Sequence, residues 1–163
     1  MHDVAKDAGV AIATLYRYFP SKTHLFTAVL SAQVDHMSDP SPAIDTADDP
    51  VDAVAETLLR STRQMLQTPL LARAMLQSNN DAHTATVSEA AGIDTKAQDI
   101  LLTVLGLTEP TEQDRQLLGL LMKCWHGVAV SALNGHTTEA DAETEIRLAC
   151  EVLLAPRSNA CRA

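Results

Sequence analysis

The chain has 163 residues and a mass of 17.5 kDa, which suffices for one domain or for one domain with a small appendage. Hydrophobic residues make up 46% and charged residues 20%, and no stretch approaches the roughly 20 uninterrupted apolar residues that span a bilayer. These values exclude a large multidomain enzyme, a disordered chain and a membrane-spanning chain. Aromatic residues amount to only 3% while Ala and Leu abound, so the composition predicts an all-α fold.

The formal net charge is -9, from 12 basic and 21 acidic residues. Residues 1–37 contain equal numbers of each sign, so residues 38–163 carry the whole acidic excess. An acidic surface repels nucleic acid, which leaves the first segment as the only stretch where a polyanion would not be repelled. Cys124, Cys150 and Cys161 lack metal-site spacing and no signal peptide is found, which predicts a cytoplasmic protein without a cofactor.

Two short helices are predicted at the start of the chain, over residues 2–8 and 12–19. Gly9 lies between them and allows the sharp change of direction that a tight turn needs. Two short helices joined by such a turn are typical of a helix-turn-helix, whose second helix enters the major groove of DNA. The residues expected to face inward in the first helix are Val4, Ala5 and Ala8.

Residues 38–50 are predicted to form a linker, because they contain three prolines and four aspartates. The linker divides the chain into a first domain over residues 1–37 and a second domain over residues 51–163. Asp49 is expected to cap the first helix of the second domain, with Pro50 at its first position.

The second domain is predicted to be helical throughout, because apolar residues recur in it at helical spacing. Its first helix should end near Thr68, before Pro69. The next helix is expected to span Leu70–Ser78 and to end at Asn79 and Asn80, and the one after it to span residues 82–105 and to stop at Gly106. A further helix is expected over Thr111–Leu133, with Asp114 in a capping arrangement at its start. The last helix should begin with Thr138 and Asp141 and end at Pro156.

The run from Leu117 to Leu133 is apolar nearly all round a helix, so it must be buried on two sides. The last helix has a single apolar face, which includes Ile146, Cys150 and Leu154. A helix with one face on its own core and a second apolar face left over indicates a partner chain. The simplest arrangement is a homodimer formed through the last two helices.

The segment from Ala8 to Lys22, A-G-V-A-I-A-T-L-Y-R-Y-F-P-S-K, resembles the helix-turn-helix signature of the TetR family of bacterial transcriptional regulators. The shared features are Ala-Gly-Val at the turn, Thr-Leu-Tyr on the recognition helix, a following aromatic residue and a lysine that opens the next helix. The resemblance implies a helix-turn-helix head followed by a helical ligand-binding and dimerisation domain. The runs Thr14–Lys22 and Pro69–Met75 are similar to the branch that controls sterol catabolism in actinobacteria.

The resemblance assigns the side chains of the motif to two tasks on DNA. The hydroxyl and ammonium groups that would meet backbone phosphates belong to Thr14, Tyr16, Tyr18 and Lys22. The side chains left to face base edges are Ile12, Ala13 and Arg17. Only Arg17 can make a bidentate contact to guanine. Half-buried packing is the alternative role for the two tyrosines, and a solvated helix start is the alternative for Lys22.

The family places one further helix, preceded by a flexible basic arm, upstream of the position that His2 occupies here, and this chain begins without them. That helix covers the apolar backs of the next two, and the arm adds phosphate and minor-groove contacts. Two interpretations stay open. The first is a ligand-responsive repressor that binds operator DNA as a homodimer, and the second is a dimeric small-molecule sensor or partner protein whose truncated head is incompetent for DNA.

The resemblance also implies an effector pocket among the central helices. Methionines adapt to bulky apolar guests, and Trp125 with His126 could add polar groups, so we expect a hydrophobic effector such as a sterol, fatty acyl or acyl-thioester compound. Plain core packing is the alternative role for each methionine, and core or dimer interface for Trp125. The candidate pocket residues are Leu58, Thr62, Met65, Leu66, Met75, Asn79, Leu101, Leu105, Met122, Trp125 and His126.

Catalysis has no support in the sequence. The six histidines show no H-E-x-x-H spacing, and the phosphate-binding and nucleophile-elbow motifs are absent. Cys124 and His126 point to different sides of a helix, because residues two apart are separated by about 200°. The sequence therefore predicts a protein that is not an enzyme.

Overall fold

The computed structural model describes residues 1–39, 49–84 and 88–158, and these ranges contain helices and no strand. The predicted all-α fold is confirmed. In chain order the elements are α1 (His2–Asp7), α2 (Ile12–Tyr18), α3 (Lys22–Asp35), a 3-10 turn (His36–Ser38), α4 (Pro50–Gln67), α5 (Pro69–Thr84), α6 (Ser88–Val104), α7 (Glu112–Leu133) and α8 (Glu139–Ser158).

The helix starts follow local side-chain chemistry. Asp49 accepts a hydrogen bond from the backbone N–H of Val51 at 2.9 Å, which satisfies one of the free donors at the start of α4. At the start of α7 the N–H of Asp114 donates to Thr111 Oγ1 at 3.3 Å, and the N–H of Thr111 donates to Asp114 Oδ2 at 2.8 Å. This reciprocal pair is a capping box. The predicted caps of α4 and α7 are thus confirmed.

Three predicted boundaries are wrong. α5 continues past Asn79 to Thr84, because asparagine costs a helix only about 0.7 kcal/mol and the packing of α5 along α3 outweighs that cost. α6 begins at Ser88 rather than at residue 82. α8 continues past Pro156 to Ser158. The proline removes only the hydrogen bond to the carbonyl of Val152, a residue that is exposed to water.

Helices α3 to α8 share one core, here called the body. α7 packs against both α8 and α4, while α3 lies along α5. By length and composition alone α7 could cross a membrane, but Leu118 and Leu121 on it are fully buried in this core. The largest side chains that the core encloses completely include Leu58, Leu101, Leu118, Leu121, Ile146 and Leu154.

The head consists of α1 and α2. Among the described elements, the backbones of these two helices come close only to each other. Ala5 and Leu15 are their only buried residues. The prediction that Val4 and Ala8 face inward is wrong, because both are exposed and no described element packs over them.

Candidate functional site

The turn between α1 and α2 sets the direction of the second helix. Gly9 has a φ of +66°, a left-handed conformation that favours glycine. The N–H of Val10 then donates to the carbonyl of Ala5 at 2.9 Å, which closes the end of α1. Leu15 is buried on the inner side of α2, so the other side of that helix faces solvent.

The outer side of α2 carries a cluster of polar and aromatic groups. Tyr16 is 48% exposed and Tyr18 is 66% exposed. The Arg17 guanidinium lies 5.0 Å from the centre of the Tyr18 ring, and its Nη2 donates to Tyr18 Oη at 3.3 Å. No carboxylate of the described residues pairs with Arg17, so its charge remains available to a ligand.

The first turn of α3, four residues further along the chain than Tyr18, adds an exposed cation. Ser21 caps α3 by accepting the N–H of His24 at 3.3 Å, and its Oγ lies 2.8 Å from His24 Nδ1. Lys22, the first residue of the helix, is exposed. All seven residues assigned to DNA therefore lie on the exposed or partly exposed surface of α2 and the start of α3, namely Ile12, Ala13, Thr14, Tyr16, Arg17, Tyr18 and Lys22.

A cavity of about 550 Å³ lies inside the body, between α3, α4, α5, α6 and α7. Six of the candidate pocket residues line it: Met65, Met75, Asn79, Met122, Trp125 and His126. The other five lie outside the lining of this cavity: Leu58, Thr62, Leu66, Leu101 and Leu105. Leu58 and Leu101 are fully buried in the core instead.

Thr62 acts behind the cavity wall. The indole N–H of Trp125 donates to Thr62 Oγ1 at 2.9 Å, and that hydroxyl in turn donates to the carbonyl of Leu58 at 2.9 Å. The indole N–H is therefore already satisfied within the protein. Trp125 offers the cavity its apolar ring rather than the polar group that the sequence led us to expect.

Sequence reasoning missed the contribution of α3 to the cavity. Leu30, Gln33 and Val34 of α3 line it, as does Met37 of the 3-10 turn, and these residues come after the helix-turn-helix motif in the chain. Apolar residues at positions 30, 34 and 37 repeat at helical spacing, which indicates a buried face. That face went unassigned because the whole segment 1–37 was interpreted as a DNA-binding unit. One continuous helix thus joins the head to the cavity wall.

The far end of α3 is held by charged groups of the body. Arg60 of α4 donates to the carbonyls of Met37 at 2.7 Å, Asp39 at 2.9 Å and His36 at 3.3 Å. A guanidinium at the carbonyl end of a helix is favoured by the helix dipole. Lys96 of α6 forms an ion pair with Asp35 at the last residue of α3.

A second set of charges fixes α8 to α4. Arg63 pairs with Glu143 at 3.3 Å, and Arg147 pairs with Glu143 at 3.0 Å and with Glu56. The hydrogen bond from Arg147 lowers the pKa of Glu143, against a smaller opposing effect of burial, and Arg63 lowers it further. The hydrogen bond to Glu56 raises the pKa of Arg147.

The outer faces of α7 and α8 leave large apolar side chains uncovered. Leu120 is 47% exposed on α7, and Leu148 and Val152 are 56% and 66% exposed on α8. Leu148 and Val152 are one helical turn apart and so form a stripe. In the part of the chain that the structure describes, no group of three His, Cys, Asp or Glu side chains could hold a metal ion.

The fold and the site define a class of protein in which a helix-turn-helix head is joined by one helix to a ligand cavity. Comparison with known proteins gives the family. A family model for tetR-type bacterial regulatory proteins matches residues 1–29, and a model for the C-terminal domain of tetracyclin-repressor-like proteins matches residues 47–153. The chain belongs to the TetR family, and it is a ligand-responsive transcriptional repressor.

Individual relatives are similar over most of their length. The HTH-type transcriptional repressor KstR of Rhodococcus jostii is 29% identical over 154 residues, which cover 94% of this chain and 72% of the relative. The repressor of the same name from Mycobacterium tuberculosis is 26% identical over 163 residues, or 98% of this chain and 73% of the relative. These relatives are transcriptional regulators rather than enzymes.

A solved structure supports the same fold. The crystal structure of a TetR transcriptional regulator from Rhodococcus sp. RHA1 is 47% identical in sequence and superimposes with a TM-score of 0.82. The match covers 94% of this chain and 82% of that chain. The arrangement of head, α3 and body is therefore one that a TetR regulator adopts.

Proposed function

We propose that α2 is the recognition helix of this repressor and that it lies in the major groove of operator DNA. The observation that carries the proposal is the outward display of Tyr16, Arg17 and Tyr18 above the buried Leu15. Arg17 reads a guanine, with Ile12 or Ala13 against a thymine methyl group. Phosphates are contacted by Thr14, Tyr16, Tyr18 and Lys22.

We further propose that the repressor acts as a homodimer through α7 and α8. Support comes from Leu120, Leu148 and Val152, which are too large and too exposed to be left in water at low cost. Two heads related by a twofold axis can read half-sites about 34 to 36 Å apart. The division proposed for the chain is a DNA-binding unit over residues 1–37, a linker over residues 38–50 and an effector-binding and dimerisation unit over residues 51–163.

The effector proposed for the cavity is a hydrophobic small molecule of the sterol, fatty acyl or acyl-thioester type. The volume of about 550 Å³ and the four methionines in its lining favour a large apolar guest. The resemblance of Thr14–Lys22 and Pro69–Met75 to the sterol-catabolism branch favours the sterol class. We place this action in the cytoplasm, where the operator DNA lies.

The proposed coupling between effector and DNA runs through α3. This helix lines the cavity with Leu30, Gln33 and Val34 and begins after the head with Lys22. An effector that prefers a different position of α3 changes the separation of the two heads, so that they no longer fit both half-sites. The effector can weaken DNA binding only by the free energy with which it prefers the conformation that does not bind DNA.

The test is a mobility-shift titration on DNA that flanks the gene, over a series of salt concentrations. Lys22→Ala should weaken binding to all sequences alike and lower the slope of log affinity against log salt by about one. Arg115→Ala, which removes a cation of the body outside the cavity lining, is the matched control and should leave the slope unchanged. A wild-type chain that shifts no DNA at low salt would instead favour a small-molecule sensor with a DNA-incompetent head.

A further inference from the structure

One polar atom in the cavity wall lacks a hydrogen-bond partner. Asn79 lines the cavity from α5, and its Oδ1 is buried without accepting a hydrogen bond in the part of the chain that the structure describes. Thr27 Oγ1 is the second side-chain atom of this kind among the described residues, but Thr27 does not line the cavity. Among the described residues, the cavity wall therefore contains one buried side-chain acceptor that no other group of the protein satisfies.

An unused buried acceptor is unfavourable in a folded protein. More than nine in ten buried polar groups are hydrogen-bonded, so each exception calls for a physical explanation. A neighbouring donor within the protein would satisfy Oδ1 permanently, whereas an acceptor left open in a ligand cavity can be satisfied by the ligand. Sites that hydrogen-bond a ligand discriminate strongly, because a ligand that lacks the matching group leaves a buried polar atom unpaired.

The position of Asn79 gives the length of the ligand that could reach it. α5 lines the cavity with Leu71, Met75, Leu76 and Asn79. Leu71 is 37% exposed and Met75 only 3% exposed, so the wall passes from a solvent-accessible side chain over an enclosed apolar stretch to the amide. At a rise of about 1.5 Å per residue, Leu71 and Asn79 lie about 12 Å apart along the helix axis.

We propose that Asn79 is a specificity-determining residue, whose Oδ1 accepts a hydrogen bond from one hydroxyl group on an otherwise apolar effector. The apolar part of the molecule extends for about 12 Å along α5 and packs against Met75. The hydroxyl is the donor, because the open atom is an acceptor. This inference rests on the proposed function, in that it takes the cavity to be the effector site.

The experiment compares probe pairs that differ by a single hydroxyl group: androstanol with androstane, and dodecanol with dodecane. Their affinities for the wild-type chain are measured by quenching of the Trp125 fluorescence and by calorimetry. Wild type should bind each alcohol about fivefold more tightly than the matching hydrocarbon. In Asn79→Leu the preference should disappear or reverse, because the buried hydroxyl then has no acceptor.

Met75→Leu is the matched control, since it alters the same wall one helical turn away without changing its polarity. It should shift both members of a pair alike and preserve their ratio. The thermal midpoint of ligand-free Asn79→Leu and Asn79→Ala gives an independent readout. The thermal midpoint of Asn79→Leu should be no lower than that of the wild type, because the change removes an unsatisfied polar group.

Two outcomes would overturn the inference, and they differ in what they imply for the proposed function. If the ratio of the affinities for alcohol and hydrocarbon is the same in the wild type and in Asn79→Leu, the cavity binds apolar molecules but Asn79 does not recognise their hydroxyl group. If no probe of either pair binds the wild type, the inference fails together with the hydrophobic-effector proposal. DNA binding in the mobility shift would still stand in that case.

Discussion

The head and the body of this repressor differ in how many side chains they bury. α1 and α2 bury only Ala5 and Leu15, and Val4 and Val10 remain 42% exposed. The body encloses large aliphatic side chains from six helices, several of them completely. Charge differs as well, since residues 1–37 are neutral and the remainder carries the whole acidic excess.

The difference follows from what each region must do. A surface that lies against a duplex has to keep its polar and basic groups outside. A region that encloses a cavity loses packing around that space and must compensate with a well-packed core elsewhere. α3 belongs to the body and begins directly after the head, and the groups that hold its far end, Arg60 and Lys96, come from α4 and α6, two of the helices that line the cavity.

The largest contrast should appear when one leucine is truncated in each region. Leu58→Ala, at a fully buried position of α4, should destabilise the body by about 2 to 5 kcal/mol and lower its thermal midpoint. Leu15→Ala should abolish DNA binding while the unfolding transition reported by Trp125 fluorescence stays nearly unchanged. A parallel loss of body stability in both variants would show that head and body form one cooperative unit.

The anchoring of α3 offers a second comparison, between two arginines on the same helix. Arg60→Ala removes three hydrogen bonds to the end of α3 and should raise amide hydrogen exchange in the 3-10 turn, with a local destabilisation of about 1.5 to 3 kcal/mol. DNA affinity should fall as well, because the head is positioned less firmly. Arg63→Ala is the control, since Arg63 pairs with Glu143 of α8. Equal exchange in both variants would contradict a specific role for Arg60.

Within the body, two cysteines test how tightly the core excludes water. Burial raises the pKa of Cys150 from 9.0 to about 12, so its thiolate fraction near pH 8 falls by about a thousandfold. In a Cys161→Ser background, iodoacetamide should modify Cys150 of the folded protein far more slowly than in urea. Cys124, which is exposed in the single chain, gives the reference rate. Rapid modification of Cys150 in the folded state would indicate a loosely packed α8.

The smallest effect is expected at the ion pairs between α4 and α8. The lowered pKa of Glu143 means that its contribution is present at neutral pH and is lost as the pH falls through the pKa of the folded state. Because the carboxylate is 39% exposed, Glu143→Gln should cost less than about 1 kcal/mol at pH 7. Urea unfolding at pH 7 and at pH 3 measures it, and the difference between variant and wild type should be smaller at the lower pH.

The sequence predicted those features that depend on local chemistry. The helix starts at Asp49 and Thr111 could be identified because a capping side chain acts on backbone groups within three residues. The ends of α5 and α8 could not, because packing along α3 and solvent exposure of Val152 override the propensities of Asn79 and Pro156. Tertiary contact decided these boundaries.

The same limit applies to the site. Exposure of the motif side chains on α2 follows from the spacing of Leu15 and its neighbours. The cavity needed the three-dimensional arrangement, because its wall takes one helical face from each of five segments. Sequence periodicity shows that a leucine is buried, but it does not distinguish a cavity wall, as at Leu30, from solid core, as at Leu101.

The central claim, that α2 presents Arg17 to the edges of base pairs, is tested most directly by selecting binding sites from random duplex DNA. Wild type should enrich a palindromic motif with a guanine in each half-site. Arg17→Ala should enrich the same motif with preference lost at that guanine alone, at a cost of about 1 to 3 kcal/mol in discrimination. An unchanged motif from Arg17→Ala, or no motif from wild type, would contradict the account.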